Sequence, residues 1–464
     1  MKKMKSIQDE EDTLLGKRVY HLYRARFAML AIYGSIGLFN NAIWVAYTPI
    51  VEQASETYGV DEGAINLLAA TYLACTIFLT PLGSWMCDVK GPRAIVVTCG
   101  ILNTLGAWIK YASGGNFWIL LVGQLFCAVA QPLFLPVPPK LTANWYGEDE
   151  RTVATGIGSL SVVAGIAVGY GLSIGLVEEE PNNCCKHLNL TLAILVTIPS
   201  VLGLIFFRDF PPTPPSSSSG AERDDFFASA KNVFREGPFI VLLCTISPGY
   251  GICTALFSLI GNLATGQGYS EELSGLVGVV LVTSGLLGAI IFGTILDETK
   301  MFKQLIKLAF GCAAIAVTLF LLAMQFGWPP WVVLFLSGIS GFFLLALLPM
   351  CVELGVEVTY PATEGVVTGA LLLIGNFYGL IFFFILQILI KDEDSDGDLD
   401  STLSLWVLLG ICWICCLGSV FIYGDYKRLD FERQEKGEEF GQAGDPNSGI
   451  QSQYAGDSLS DHEY

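Results

Sequence analysis

Charge and histidine are what this chain has least of. Asp, Glu, Lys and Arg make up 15% of its 464 residues, where soluble domains carry about a quarter. The three histidines, His21, His187 and His462, all lie outside the apolar runs, so no imidazole is available within them to ligate a metal. Neither a nucleophile–base pair nor a metal-ligand cluster appears, which argues against an enzyme and against a resident cofactor. The 13 cysteines make no disulfide framework. All but Cys184 and Cys185 lie in or beside apolar runs, and adjacent cysteines rarely pair without strain. The short alternating segments of a β-barrel are also missing.

What is present is apolar length. Hydrophobic residues make up 53% of the chain and mean hydropathy is +0.56. A helix crossing a bilayer needs roughly 20 apolar residues. Twelve runs qualify, at about 28–50, 64–86, 94–112, 117–139, 153–176, 188–207, 238–264, 273–296, 305–326, 330–352, 365–390 and 402–423. The first holds Asn40 and Asn41 and has no A-x-A site before the next run. It is expected to stay in the membrane rather than be removed as a signal peptide.

Basic residues fix the expected orientation. With the N-terminus inside, 22 of the 25 Lys and Arg fall on the cytoplasmic face, leaving Lys110, Lys186 and Lys391 outside. Both termini are therefore expected in the cytoplasm. The net charge of −18 sits largely in the 425–464 tail and one outer loop, so nucleic acid is not an expected partner. Membrane lipid and a small solute are, with the chain acting as a monomer.

A Pro/Ser-rich stretch, PPTPPSSSS, divides the chain. The expected organisation is a cytoplasmic segment 1–27, a six-helix half 28–207, a linker 208–237, a second half 238–423 and a disordered tail 424–464. Residues 222–236 read as a short amphipathic helix on the inner surface. The halves echo each other. GSWMCDVKGPR (83–93) carries Asp88, Lys90 and Arg93 after the second run; GTILDETKMFK (293–303) carries Asp297, Lys300 and Lys303 after the eighth, 209 residues on. Thr155-Gly156 and Thr368-Gly369 repeat at 213, with Arg151 opposite Glu364. A tandem repeat of six-span halves, with the solute path between them, is the major facilitator architecture. The fold expected is an all-α membrane protein of twelve transmembrane helices. The charged loops then read as hinges that pair the halves in one state and release them in the other.

FNNAIWVAYTPI, LNTLGAWIK, GQLFCAVAQPLFL, SGLLGAIIFGTILDETK and ELGVEVTYPATEGVVTGALLL resemble the feline leukaemia virus subgroup C receptor-related family, solute carrier family 49 of that superfamily. The resemblance runs from about Tyr23 to Arg428 and implies transport of choline, ethanolamine, haem or a vitamin. It also implies a cavity tryptophan at Trp44, with Tyr47, Asn40 and Asn41 near it, and a cavity glutamine at Gln131. An indole face attracts a quaternary ammonium. Gln124 lies seven residues before Gln131, on the same face, and reads as interhelical glue. Two departures stand out. The family's second aromatic aligns with Ser258, although Tyr250 and Phe257 share its helix, and a later glutamine aligns with Asn376. A cage with one wall missing holds a cation less well, which leaves a different amine or a larger planar solute open. Haem gains nothing from the residues, since no imidazole lies within a span.

Coupling to an ion usually needs a buried carboxylate. Asp88, Asp297, Glu353, Glu357 and Glu364 all fall at cytoplasmic ends, with Glu353 and Glu357 placed to meet Arg151 or Arg93 as a gate. Facilitated movement is therefore expected. KDEDSDGDLDSTL (391–403) imitates a calcium loop but has Leu403 where the bidentate Glu belongs, so a solvated acidic loop is the reading and no metal is expected. Asn189-Leu190-Thr191 is a glycosylation sequon beside the sixth run. EEDTLLG (10–16) fits a dileucine sorting pattern, which keeps a lysosomal address open beside the expected plasma membrane. A receptor or scaffold that moves nothing is the competing class; the polar residues Asn40, Asn41, Gln131 and Asn376 inside the spans count against it.

Overall fold

The computed structural model describes residues 21–176, 184–213, 233–360, 362, 364–393, 398–428 and 430. Among the described residues, twelve helices are long and apolar enough to cross a membrane, and they match the twelve expected runs. They are Ala25–Tyr58, Glu62–Cys87, Val89–Tyr111, Phe117–Phe134, Val153–Leu176, Cys185–Phe206, Gly237–Thr265, Glu271–Leu296, Phe302–Gln325, Pro330–Thr359, Gly365–Leu389 and Thr402–Ser419, called here spans 1 to 12. A helix is forced in lipid because each backbone polar group must be satisfied within its own segment. A short antiparallel ribbon, β1 (Lys391–Glu393) and β2 (Asp398–Asp400), joins spans 11 and 12, with Asp392 opposite Leu399. The dileucine string, most of the amphipathic stretch 222–236, the tail beyond 430 and residues 394–397 of the acidic loop lie outside the described residues.

Breaks in the helices have identifiable causes. Span 1 loosens at Tyr47 into a 3-10 turn, Thr48–Ile50, with Pro49 in it. It then continues as a short helix, Val51–Tyr58, closed by Gly59 at φ 63°. Spans 2 and 3 form one long helix interrupted at Gly91, φ 81°, with Pro92 next. That φ is ordinary for glycine and strained for other residues. Its repeat counterpart 209 residues on is Lys300, the one non-glycine residue with positive φ among those described, at 53°. Lys300 caps the helix of span 8 by donating its N–H to Leu296 O at 2.8 Å. The two charged loops thus share a backbone device as well as a charge pattern.

The apolar core is not uniform. One cluster runs without interruption from the outer N-half (Trp44, Tyr47, Leu68, Tyr72, Leu120) through the whole C-half. "Outer" means the end of each span away from the 88–93 and 297–303 loops. A second cluster, among them Tyr33, Ile95, Phe134, Trp145 and Phe207, belongs to the inner N-half alone. The halves therefore share a core at their outer ends and keep separate cores at their inner ends.

Candidate functional site

Span 1 supplies the centre of the N-half wall. Trp44 is buried, its indole N–H donates to Ala69 O of span 2 at 3.2 Å, and its ring lies nearly parallel to Tyr72 at 6.2 Å between centroids. Asn41, one turn earlier, accepts from Gln131 Nε2 of span 4 at 3.2 Å. Thr76 Oγ1 reaches Gln131 Oε1 at 3.5 Å. Helical spacing explains the grouping: residues three or four apart share a face, so Asn41 with Trp44 and Tyr72 with Thr76 form two adjacent rows. The polar atoms are satisfied, yet Gln131 stays half-buried, so its amide can exchange a partner for a solute. Asn40 points elsewhere and ties span 1 to Asn103 Oδ1 at 2.6 Å and to Cys127 O at 2.9 Å.

The C-half wall is smaller. Tyr250 of span 7 is half-buried against span 11 beside Asn376, whose amide donates to Leu372 O at 2.8 Å. Gly375 leaves room for the tyrosine ring, which a Cβ there would meet at 2.5 Å. Phe257 is buried two turns further out. Ser258 is wholly buried, its hydroxyl donating to Thr254 O at 2.8 Å. The structure thus groups Asn41, Trp44 and Gln131 in one wall and Tyr250 with Asn376 in another. Among the described residues no hydrogen bond joins the walls.

Tyr47 belongs to a different network. Its hydroxyl donates to Asn189 Oδ1 at 2.9 Å, and one ring face is covered by the Lys110 ammonium, 4.9 Å from the centroid. Lys110, counted with the outer loops above, is instead wholly inside, donating to Gln124 Oε1 at 2.6 Å. Gln124 Nε2 closes the set on Leu68 O at 3.1 Å. A protein cation already occupies the tyrosine face that a solute cation would need.

Comparison with known proteins decides the family. The family model described as Major Facilitator Superfamily matches residues 29–383. A choline/ethanolamine transporter of Felis catus, FLVCR1, is 30% identical, with 83% of this chain and 71% of that protein aligned. The chain belongs to the major facilitator superfamily, in its FLVCR branch. The choline/ethanolamine transporter flvcr2a of Danio rerio is 29% identical over 93% of this chain and 92% of its own. Solute carrier family 49 member A3 of Xenopus tropicalis is 27% identical over 88% and 89%. Among solved structures, a D-xylose-proton symporter superposes with a TM-score of 0.69 at 12% identity, covering 87% of this chain and 99% of that one. The chain is a multi-pass membrane solute transporter.

The residues expected at an inner gate are only partly described. The side chains of Asp88, Asp297 and Glu364 lie outside the described residues. Arg93 is exposed, and its backbone N–H donates to Asp209 Oδ1 at 2.7 Å, a contact within the N-half that holds the Gly91 break. Glu357 is buried and Glu353 exposed at the end of span 10; both, with Arg151 and Lys300, are engaged by partners. At the inner end of span 1, Arg26 pairs with Glu150 at 2.8 Å, while Tyr146 OH donates to Arg26 O at 3.1 Å. Burial pushes the Tyr146 phenol up to about 12, so it stays a neutral donor there.

Several polar residues escaped the sequence reading. Tyr72 and Thr76 carried only the i, i+4 spacing within span 2. Glu62 and Glu271 carried a better signal, being first-turn acids of spans 2 and 8 and 209 residues apart, the offset of the charged loops. Asn189 is 3% exposed, with its amide donating towards Tyr58 OH and Lys110 O at 3.4 Å. Because it is the chain's one sequon, digestion with a peptide N-glycosidase is expected to leave the mobility of the expressed protein unchanged. A downward shift on the gel would show that a glycan reaches Asn189 before the helices pack.

Proposed function

We propose that this transporter is a facilitative carrier of a small organic amine of the choline or ethanolamine type, working by alternating access. The observation that carries the reading is the N-half wall: an indole held edge-on by Ala69 and backed by Tyr72, with the Asn41–Gln131 amide pair one turn away. An aromatic face with amide acceptors beside it suits an ammonium carrying a hydroxyl. The names of the relatives support the same class. Tyr250, Phe257, Ser258 and Asn376 make the opposing wall in this reading, and Ser258 makes it a weaker cage than two aromatics would. Tyr47 acts from behind, by holding the outer part of span 1.

Asp88, Arg93, Arg151, Asp297, Lys300, Glu353 and Glu357 form the inner gate. Both termini face the cytoplasm, and the plasma membrane is the site of action. The chain works as a monomer and catalyses no covalent step. Haem is disfavoured because His21 and His187 lie outside the walls just described and His462 follows the last of the twelve spans in sequence.

The test is uptake of labelled choline and ethanolamine in cells lacking their own carriers, with surface expression measured in parallel. Saturable uptake is expected from the normal protein. A cation over a dry indole is worth about 2 kcal/mol. Trp44→Ala is therefore expected to raise the half-saturating concentration about thirtyfold, and Gln131→Ala to raise it less. A protein shown to be at the surface that takes up neither amine would sink the reading.

A further inference from the structure

The outer ends of the two halves are tied by side chains from both. Tyr170 OH of span 5 donates to Phe257 O of span 7 at 2.5 Å, and Gln387 Nε2 of span 11 to Gly63 O of span 2 at 3.1 Å. Two further ties use carboxylates. Glu271 Oε1, in the first turn of span 8, accepts the backbone N–H groups of Glu52 at 3.0 Å and Gln53 at 3.4 Å. Those are first-turn donors of the helix Val51–Tyr58, whose own cap, Ile50, offers no side-chain acceptor. Such donors need a partner from elsewhere, and a carboxylate at a helix N-terminus is a favourable one. Glu62, in the first turn of span 2, accepts from Asn262 Nδ2 of span 7.

The geometry points to Glu62 and Glu271 as paired carboxylate latches of the outer gate, each reaching from the first turn of its half's second span onto the other half. The repeat makes the assignment more than a coincidence of two contacts. Glu62 and Glu271 are 209 residues apart, and so are Gln53, the second of the two N–H groups that Glu271 holds, and Asn262, whose side chain Glu62 holds. Each acid therefore grips the position equivalent to the one its counterpart grips. Carboxylates suit a contact that must be made and broken. When the halves part, the acids and the N–H groups return to water with little penalty, whereas parted apolar surfaces pay for every exposed methylene. The latch is also not over-tight: Glu271 Oε2 is buried with no partner of its own, a cost borne only while the gate is shut.

This inference rests on alternating access, and its test reads conformation without using a solute. Ser274 is wholly buried one turn beyond Glu271, and its hydroxyl has no hydrogen-bond partner. The same face of span 8 packs Gly275 on Ile174 and Gly278 on Tyr170 of the N-half. Ser274→Cys is thus a nearly isosteric reporter that only an opened outer gate exposes. The full-length reporter protein in nanodiscs is treated with a maleimide, and modification at residue 274 is read by mass spectrometry, which separates it from the native cysteines. Glu271→Ala and Glu62→Ala are each expected to raise the labelling rate about fivefold, and the double variant about twentyfold or more. Glu272→Ala, changing an exposed neighbour, is expected to leave it unchanged. Equal labelling of the double variant and the reporter overturns the proposal. Should the alanine variants fail to fold, Glu271→Gln with Glu62→Gln carries the test, since an amide keeps a weaker acceptor. A rise of about twofold is expected there, and no rise overturns the latch. A protein that moves neither amine but whose reporter opens in Glu62→Ala/Glu271→Ala keeps the latch and loses the solute reading. Normal uptake with unchanged labelling does the reverse.

Discussion

Gly261→Ala is expected to stop turnover while leaving each six-helix half folded. Gly261 lies in span 7, where a Cβ would overlap the Thr48 carbonyl of the 3-10 turn within span 1. The three nearest atoms outside its own helix all belong to the N-half, so the methyl first opposes the meeting of the halves. Overpacking of this kind typically costs about 1–3 kcal/mol, which moves a two-state equilibrium about five- to 150-fold towards the outer-open form. A carrier that cannot shut its outer gate binds solute from one side and does not deliver it. The expected result is uptake reduced by about the same factor, normal yield of monodisperse protein, and a raised maleimide rate at Ser274→Cys. Full uptake in Gly261→Ala would mean that the outer ends do not meet as closely during transport as they do here.

That prediction could not have come from the sequence, and the reason is geometric. Hydropathy reports depth: the twelve runs and the Gly91 break all appear where apolar length and the charged loops put them. The repeat was legible too, because Asp88 and Asp297 stand out against an apolar background. Hydropathy does not report azimuth. Which face of span 7 meets span 1 is set by packing, so Gly261 is one of 50 glycines until the helices are assembled. Lys110 misled for the same reason. A lysine at the end of an apolar run reads as loop, yet its stem packs on Gly123 of span 4 and its ammonium turns inward to Gln124 and Tyr47. Tyr47 then read as a solute ligand because its internal partner was not visible. Trp44, Asn41 and Gln131 were easier to group, since an aromatic and two amides at mid-depth need partners that only helix faces or a solute supply. Glu62 and Glu271 were passed over because acids at span ends are usually solvated. Applying the 209 offset to every charged residue, rather than to the loops alone, would have paired them.

Gln124→Leu is expected to destabilise the N-half more than any other single change in its interior. The Lys110 ammonium sits where water does not reach, and its described contacts are the Gln124 oxygen and the Tyr47 ring. Removing one partner of a buried charge costs about 3–5 kcal/mol, because the charge stays behind uncompensated. Lys110→Met removes the charge itself and leaves only an amide oxygen without its donor, about 1–3 kcal/mol. In the double variant Lys110→Met/Gln124→Leu neither penalty remains and two side chains of similar volume pack in an apolar setting. Its thermal midpoint in detergent is therefore expected to lie above that of Gln124→Leu and close to that of Lys110→Met. A double variant that falls by the sum of the two singles would show that ammonium and amide act independently, and would remove Lys110 as the anchor of Tyr47. If the cycle closes as expected, the buried cation fixes the outer part of span 1 through Tyr47. Trp44, one turn inward, is then held from both sides, by Lys110 through the backbone and by Ala69 through the indole N–H. A site that must bind an ammonium by its aromatic face needs that face held still, and a cation buried outside the wall does so without competing for it.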